Sequence, residues 1–150
     1  MNNSEILTEL IKENLAEIRH NTDHRQGVTQ FIFTIGAGIG FAATTDLIEI
    51  SNGEKMVLGI LAIGIGLLGM VFTRKLHERQ RWYSGRLEKL YERLDKEQAN
   101  LKIAELYKSH QEEHAGKFKF LSKFRTNVLW MVIHFTVVLL GIGIIIHSSL

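Results

Sequence analysis

The chain has 150 residues, with 18 lysines and arginines against 16 aspartates and glutamates, and it contains neither proline nor cysteine. The absence of cysteine excludes a disulfide framework, a thiolate metal site and a cysteine nucleophile, and the absence of proline suits a chain built almost wholly of helices. The apolar residues are gathered into three long blocks rather than spread periodically. This distribution predicts an all-α membrane protein with three transmembrane helices, an N-terminal amphipathic helix and a cytoplasmic helical hairpin.

The first 26 residues predict a cytoplasmic amphipathic helix. Its apolar residues recur at intervals of three and four, as on one face of a helix, and Ser4 is placed to cap the first turn. Another face carries acidic residues at intervals of four, so that like charges stack along the helix. This row is either solvated or a docking surface for basic side chains. It consists of Glu5, Glu9, Glu13 and Glu17.

Three membrane spans are predicted next. Residues 27–73 form a transmembrane hairpin, with the first span at about 28–49 and the second at about 56–73, and the third span occupies residues 126–148. Each approaches the ~20 residues that a helix needs to cross the hydrocarbon core. The alternative for each block is a helix buried in a soluble core.

Small residues spaced four apart occur in both spans of the hairpin. They form the pair Gly36 and Gly40 in the first span and the pair Ala62 and Gly66 in the second. Small residues allow membrane helices to approach closely, where lipid supplies no hydrophobic force between them. The pairs indicate either packing of the first span on the second or homo-oligomerisation.

Residues 74–125 carry 14 of the 18 lysines and arginines against eight acidic residues, a net charge of +6. The orientation of a membrane protein follows the lysine and arginine bias of its short loops. We therefore predict a multi-pass membrane protein, with this segment and the N-terminus in the cytoplasm and the C-terminus outside. Binding of anionic lipid, RNA or DNA is the alternative use of the charge, and nucleic acid is the less favoured partner.

The basic segment is predicted to be an antiparallel helical hairpin. Its apolar residues from Tyr83 to Leu94 alternate at intervals of four and three, which places them on one helix face. A turn near residues 95–100 then returns the chain to the membrane. A single helix from Met56 to about His114 is the competing prediction.

A basic row accompanies this apolar stripe. Arg79, Arg86 and Arg93 recur at intervals of seven, so they share one side of the helix. They are candidates for cytoplasmic docking on the acidic row of the N-terminal helix, either within one subunit or between subunits.

Cations alternate with aromatic residues immediately before the third span. Such residues place their rings near lipid headgroups and their charges against anionic lipid, whereas stacking on nucleic acid bases is the alternative. Adjacency to a span favours the membrane interface. The predicted interface residues are Lys117, Phe118, Lys119, Phe120, Lys123, Phe124 and Arg125.

His134 is the one ionisable residue well inside an apolar block, and Trp130 precedes it by one helical turn. An ionisable residue within a span is a functional candidate by default. His134 either lines an aqueous path that protonation gates or is a neutral side chain hydrogen-bonded to a neighbouring helix, for which Thr34 and Thr44 are the expected partners.

Three patterns resemble known motifs without their context. The glycines of residues 64–69 match a dinucleotide-binding spacing but lie in a membrane span. Residues 110–114 match the H-x-x-E-H zinc pattern, yet no acidic residue follows Glu113 to complete the ligand set. His20 and His24 are read as polar surface residues. We therefore predict no catalytic, cofactor-binding or metal-binding residue, and no enzyme.

The order of elements resembles a known family. A polar N-terminal helix, a glycine-rich membrane hairpin and a basic helix containing Arg81-Trp82-Tyr83 and Arg86-Leu87-Glu88 are similar in layout to the SLATT-type two-span effectors of bacteria, over about residues 1–108. The resemblance implies an effector that permeabilises the membrane when a nucleotide-signalled conflict system triggers it. This chain adds a third span and has no sensor domain, so its trigger would come from a partner sensor protein or from assembly.

The expected function is accordingly that of an oligomeric inner-membrane protein that forms a pore or perturbs the membrane. A noncatalytic scaffold or accessory subunit of a larger membrane complex is the alternative.

Overall fold

The computed structural model describes residues 2–45, 49–98, 100–117 and 126–150. These residues form four helices and no strand, which confirms the predicted all-α class for the described part of the chain. Three of the described helices contain stretches long and apolar enough to cross a membrane. The helices are α1 (Asn3–Thr44), α2 (Asn52–Glu97), α3 (Ile103–Lys117) and α4 (Thr126–Ser149).

α1 and α2 are each longer than a membrane span needs to be. α1 runs through the predicted N-terminal helix and into the first span with no break at residue 26, and it ends at Thr44, before the predicted end of that span at about residue 49. α2 likewise continues from the second span to Glu97, whereas the competing prediction of one long helix extends to about His114. Without proline, neither helix meets a residue that removes a backbone donor from its interior. Each helix therefore joins an apolar segment to a charged segment without interruption.

Buried and half-buried positions recur at intervals of four and three along both long helices. This is the heptad spacing of helices that pack side by side, and we call these positions the seam. On α1 the seam comprises Leu7, Ile11, Asn14, Ile18, Asn21, Arg25, Val28 and Ile32. On α2 it comprises Gly59, Ala62, Gly66, Gly69, Thr73, Leu76, Gln80, Tyr83, Leu87, Leu90 and Leu94.

The chain divides into two compact units, and α1 and α2 contribute to both. We call Met1–Asp23 with Leu76–Arg125 the charged unit, and His24–Lys75 with Thr126–Leu150 the apolar unit. In the charged unit, α1 packs on α2 through seam residues, each buried leucine or isoleucine being worth ~1.5–3 kcal/mol. The core of this unit is formed by Leu7, Ile11, Leu87, Leu90 and Leu94.

α3 packs against the last turns of α2. The rings of Tyr91 and Tyr107 lie 5.7 Å apart between centroids. Lys108 Nζ lies 3.8 Å from a carboxylate oxygen of Glu88 and 3.8 Å from one of Glu92. Later residues of α3 thus contact earlier residues of α2, so α3 runs back along α2.

The side chain of Asp95 holds the start of α3. Its two carboxylate oxygens accept hydrogen bonds of 2.7 Å from the backbone N–H groups of Ile103 and Ala104. The first N–H groups of a helix have no partner within the helix, and a carboxylate also interacts favourably with the helix dipole there. Lys102, just before α3, has a φ of 47°, in the left-handed region. The last turn of α2 therefore directs the chain into α3.

We expect Asp95→Ala to destabilise α3 selectively, by about 1–2 kcal/mol, because two N–H groups lose their acceptor. Hydrogen exchange measured by mass spectrometry should become faster in α3 and stay unchanged in α4. Glu97→Ala, at an exposed position in the same turn, is the control and should leave α3 protected. Unchanged exchange of α3 in Asp95→Ala would show that the cap contributes nothing.

A capping box starts α2. The backbone N–H and the hydroxyl of Ser51 donate to a carboxylate oxygen of Glu54, at 2.8 and 2.7 Å. In return, the N–H of Glu54 donates to Ser51 Oγ at 3.4 Å. The hydrogen bonds from Ser51 hold the pKa of the exposed Glu54 carboxyl below its usual value. The short connection from α1 thus ends in a defined helix start.

The apolar unit is built where α1, α2 and α4 meet. Its core contains one residue from each helix, Ile32, Ala62 and Val137. Large apolar side chains cover the outer faces, where lipid, unlike water, would accommodate them. They include Phe31, Phe41, Leu61, Leu68, Val71, Leu139 and Ile146.

Candidate functional site

The predicted small-residue pair of α1 faces α4. Gly36 and Gly40 are both buried. A Cβ atom on Gly36 would lie 2.9 Å from Val137, and one on Gly40 would lie 3.0 Å from Leu140. Both distances are shorter than ordinary contact, so the absence of a side chain lets α4 approach α1.

The small-residue pair of α2 is buried as well, and its glycine also faces α4. Ala62 is fully buried in the core of the apolar unit. A Cβ atom on Gly66 would lie 2.7 Å from Val138 and 3.0 Å from the backbone oxygen of His134. The glycines of both pairs therefore pack against α4. The sequence had suggested packing of the first span on the second or association between copies.

A close approach of α2 and α4 in the apolar unit involves two glycines that sequence reasoning missed. A Cβ atom on Gly141 would lie 2.5 Å from the backbone oxygen of Gly59, and one on Gly59 would lie 2.8 Å from the backbone oxygen of Gly141. Neither glycine has a small residue four positions away, so neither matches the pattern that singled out the two pairs. The available signal was the seam of α2, because Gly59 continues the heptad spacing of Ala62 and Gly66.

His134 lies at the centre of the apolar unit with no exposed surface. Its Nε2 atom lies 3.2 Å from the hydroxyl of Thr29 on α1 and 2.9 Å from the hydroxyl of Thr73 on α2. One side chain of α4 therefore links all three helices. The predicted partners were wrong: Thr44 donates to the backbone oxygen of Gly40, and Thr34 is exposed.

The hydrogen bonds of His134 favour one tautomer. Nδ1 is buried without a hydrogen-bond partner among the described residues, and the ring packs against Gly69, where a Cβ atom would collide with it. A buried N–H without an acceptor costs more than an idle lone pair on nitrogen. We therefore place the proton of the neutral ring on Nε2, which donates to a threonine hydroxyl.

Arg25 is another buried polar residue of the apolar unit. Unlike His134, it was not singled out by sequence reasoning. It is 5% exposed, and its guanidinium carbon lies 5.4 Å from the centroid of the Trp130 ring on α4. This geometry is that of a cation–π contact. Trp130 therefore contacts a charged side chain of α1. The signal for Arg25 was again the seam, since it follows Asn21 by four residues.

The charged unit brings one predicted pair of docking residues together. Arg79 lies 3.6 Å from a carboxylate oxygen of Glu17. No ion pair joins Arg86 or Arg93 to Glu5, Glu9 or Glu13 in the described ranges. All five of these side chains are exposed.

The rows fail to match because their periods differ. Positions seven apart keep one side of a packed helix towards its neighbour, whereas positions four apart rotate steadily around the helix. Glu17 borders the seam of α1, and each earlier glutamate lies further around the helix. The arginines, at intervals of seven, stay beside the seam of α2.

Of the predicted membrane-interface residues, Lys117 ends α3, is exposed, and pairs with Glu113 at 2.5 Å. The other six lie outside the described residues: Phe118, Lys119, Phe120, Lys123, Phe124 and Arg125. In the part of the chain that the structure describes, no three histidine, aspartate or glutamate side chains are grouped as a metal ion would require.

Comparisons with protein-family models, with curated proteins and with solved structures find no significant match to this chain. The resemblance to SLATT-type effectors therefore remains one of layout, and the function has to be argued from the contacts described above.

Proposed function

We propose that this chain is a multi-pass protein of the bacterial inner membrane, and that identical copies assemble into a membrane-perturbing, pore-forming effector. The charged unit and the N-terminus lie in the cytoplasm and the C-terminus lies outside, following the lysine and arginine bias. The residues around Lys117 contact anionic lipid headgroups. The trigger is assembly itself or a partner sensor protein, and no catalytic residue or cofactor takes part.

One observation carries this proposal: the two helices that build the charged unit also build the apolar unit. α1 runs without a break from Asn3 to Thr44, and α2 from Asn52 to Glu97. Small rotations and shifts of helices are a known means of transmitting a binding event. Assembly of the charged segments would act on the membrane segments through the same helices.

The packing of the apolar unit supports an assembly of several copies. Ala62, Thr73 and His134 have no exposed surface, so the middle of a single unit is filled by side chains. Its outer faces are apolar. An aqueous path for ions therefore needs space between copies, as in other pores that several helices line together.

We expect induced expression of the chain in a bacterium to collapse the membrane potential, read with a potential-sensitive dye. Gly36→Leu should abolish this effect, because the new side chain displaces α4. Gly38→Leu is the matched control, since a Cβ atom there meets nothing within 4 Å. Equal amounts in the membrane must be verified. An unchanged potential with the inserted wild-type chain would rule out an effector that its own assembly triggers.

A scaffold is the second candidate, favoured by the exposed side of α2 in the charged unit. Trp82 is 61% exposed there, and the guanidinium of Arg86 lies 5.8 Å from its ring centroid. Tryptophan and arginine are enriched at protein interfaces. A scaffold would cause no depolarisation and would co-purify with a specific partner that is lost when Arg79, Arg86 and Arg93 are reversed in charge.

A further inference from the structure

The ion pair between Arg79 and Glu17 sets the register of α1 against α2 in the charged unit. The two helices run in opposite directions. A residue n positions after Arg79 on α2 is therefore level with the residue n positions before Glu17 on α1. Arg86, seven residues after Arg79, is therefore level with Leu10, and Arg93 is level with Asn3. Asn3 and Leu10 line one groove together with Arg93, which places the start of α1 beside the last turns of α2.

Arg86 and Arg93 consequently have no acidic residue opposite them on their own α1. The groove beside Arg93 is partly apolar, with Ile6 and Leu10, and it is also lined by the cation of Lys96 and the carboxylate of Glu97, so its charge is net positive. Ile6 is 40% exposed. Together with Trp82, these residues form a basic and partly apolar surface, which we call the basic face.

Glu5 and Glu9 lie on the opposite side of α1 from its seam, where both are exposed; Glu5 accepts a hydrogen bond of 2.9 Å from the backbone N–H of Asn2, and Glu9 lies 3.5 Å from Lys12 Nζ. Their levels match those of the arginines: Glu9 is one residue from the level of Arg86, and Glu5 is two residues from the level of Arg93. At about 1.5 Å per residue, the mismatch is on the order of 1.5 to 3 Å, which long side chains span. We call Glu5 and Glu9 the acidic face.

We propose that the basic face of one copy binds the acidic face of the next. Copies in one membrane share one direction, so packing them side by side places equal residue numbers level. Arg86 then meets Glu9 of the neighbour, and Arg93 meets its Glu5. Because the two faces are different surfaces of the molecule, the contact is heterologous and can repeat from copy to copy, and it forms a ring where the rotation between copies closes.

This interface rests on the proposed function and specifies its partner as a second copy of this chain. Charge complementarity determines which faces meet, while Trp82 and Ile6 supply apolar area at the contact. Exposed charge pairs are screened by salt, so assembly should weaken as the ionic strength rises.

The test measures the mass of the purified full-length chain in detergent and in lipid nanodiscs over a range of concentrations. Arg86→Glu and Glu9→Arg should each raise the Kd for assembly by at least about tenfold, because repulsion replaces attraction at every contact of the ring. Arg81→Glu reverses an exposed charge on another side of α2 and should leave the mass unchanged. Circular dichroism establishes that each variant is folded.

Co-expression of Arg86→Glu with Glu9→Arg decides whether the contact joins different copies. The reversed faces of the two variants are complementary to each other, so mixed assemblies should form where neither variant assembles alone. Failure of the folded variants to assemble on mixing would overturn the interface.

The outcomes also separate this interface from the proposed function. Wild-type assembly that both charge reversals leave intact overturns the interface and keeps the oligomer. A wild-type chain that stays monomeric in detergent and in nanodiscs overturns both.

Discussion

Replacing Gly141 with leucine should separate α4 from α2 and destabilise the apolar unit by roughly 3 kcal/mol, the upper end of the ~1–3 kcal/mol that overpacking usually costs. The reason is geometric. A Cβ atom on Gly141 would lie 2.5 Å from the backbone oxygen of Gly59 and 3.0 Å from the backbone nitrogen of Ile63. Backbone atoms inside a helix cannot turn aside as a flexible side chain can, so the whole helix has to move.

Gly143→Leu is the matched control, since it places the same side chain on the same helix two residues further on. A Cβ atom at Gly143 meets nothing within 4 Å, and leucine has a higher helix propensity than glycine. The thermal midpoint in detergent should fall for Gly141→Leu and should stay level or rise for Gly143→Leu. Equal midpoints for the two variants would refute the close approach of α2 and α4.

His134→Ala should destabilise the apolar unit by on the order of 2–4 kcal/mol, as other truncations of large buried side chains do. The substitution leaves a cavity beside Gly69 and removes the hydrogen-bonded link between α1, α2 and α4. His147→Ala, at an exposed position near the end of the same helix, removes the same side chain without these contacts. Its thermal midpoint should match that of the wild-type chain.

His134→Phe separates the two contributions. Phenylalanine keeps most of the buried volume but cannot bond to Thr29 or Thr73. We expect it to lie between the wild-type chain and His134→Ala, because a threonine hydroxyl inside a helix can bond instead to a backbone oxygen of its own helix. A His134→Ala variant as stable as the wild-type chain would show that the three-helix link is not structural.

The periodicity of the sequence predicted the helices because burial follows it. The apolar blocks appear in α1, α2 and α4, and the three leucines of the predicted stripe, Leu87, Leu90 and Leu94, pack on α1. The position of α4 could not be predicted in the same way. Gly36 and Gly40 make one side of α1 small, yet a small surface does not specify which helix fills it.

The partners of His134 show the same limit. Thr34 lies five residues from Thr29, which puts it about 140° around the helix, and only the tertiary packing decides which of the two faces inward. For Thr73 the signal was present. It follows Gly66 by seven residues and therefore lies on the seam, as Arg25 does on α1.

The acidic and basic rows were recognised in the sequence as a docking pair, and the structure forms one of the pairings. Arg79 meets Glu17 because both border the seam at the same level. Whether the other charged residues can pair depends on their positions along the two helix axes. Those positions are known relative to one another only when one contact fixes the register of the two helices. The sequence offered the charges without that register.

The heptad spacing of the seam also makes the length of the charged unit adjustable. Seven residues removed from the charged part of α1, together with seven from the matching part of α2, would leave every remaining seam residue facing inward, because a whole repeat restores the phase of a packed helix. A single inserted residue would instead turn everything beyond it by about 100°. The charged unit can therefore grow or shrink over evolution in steps of two helical turns, while the contacts of Gly59, Gly141 and His134 stay as they are.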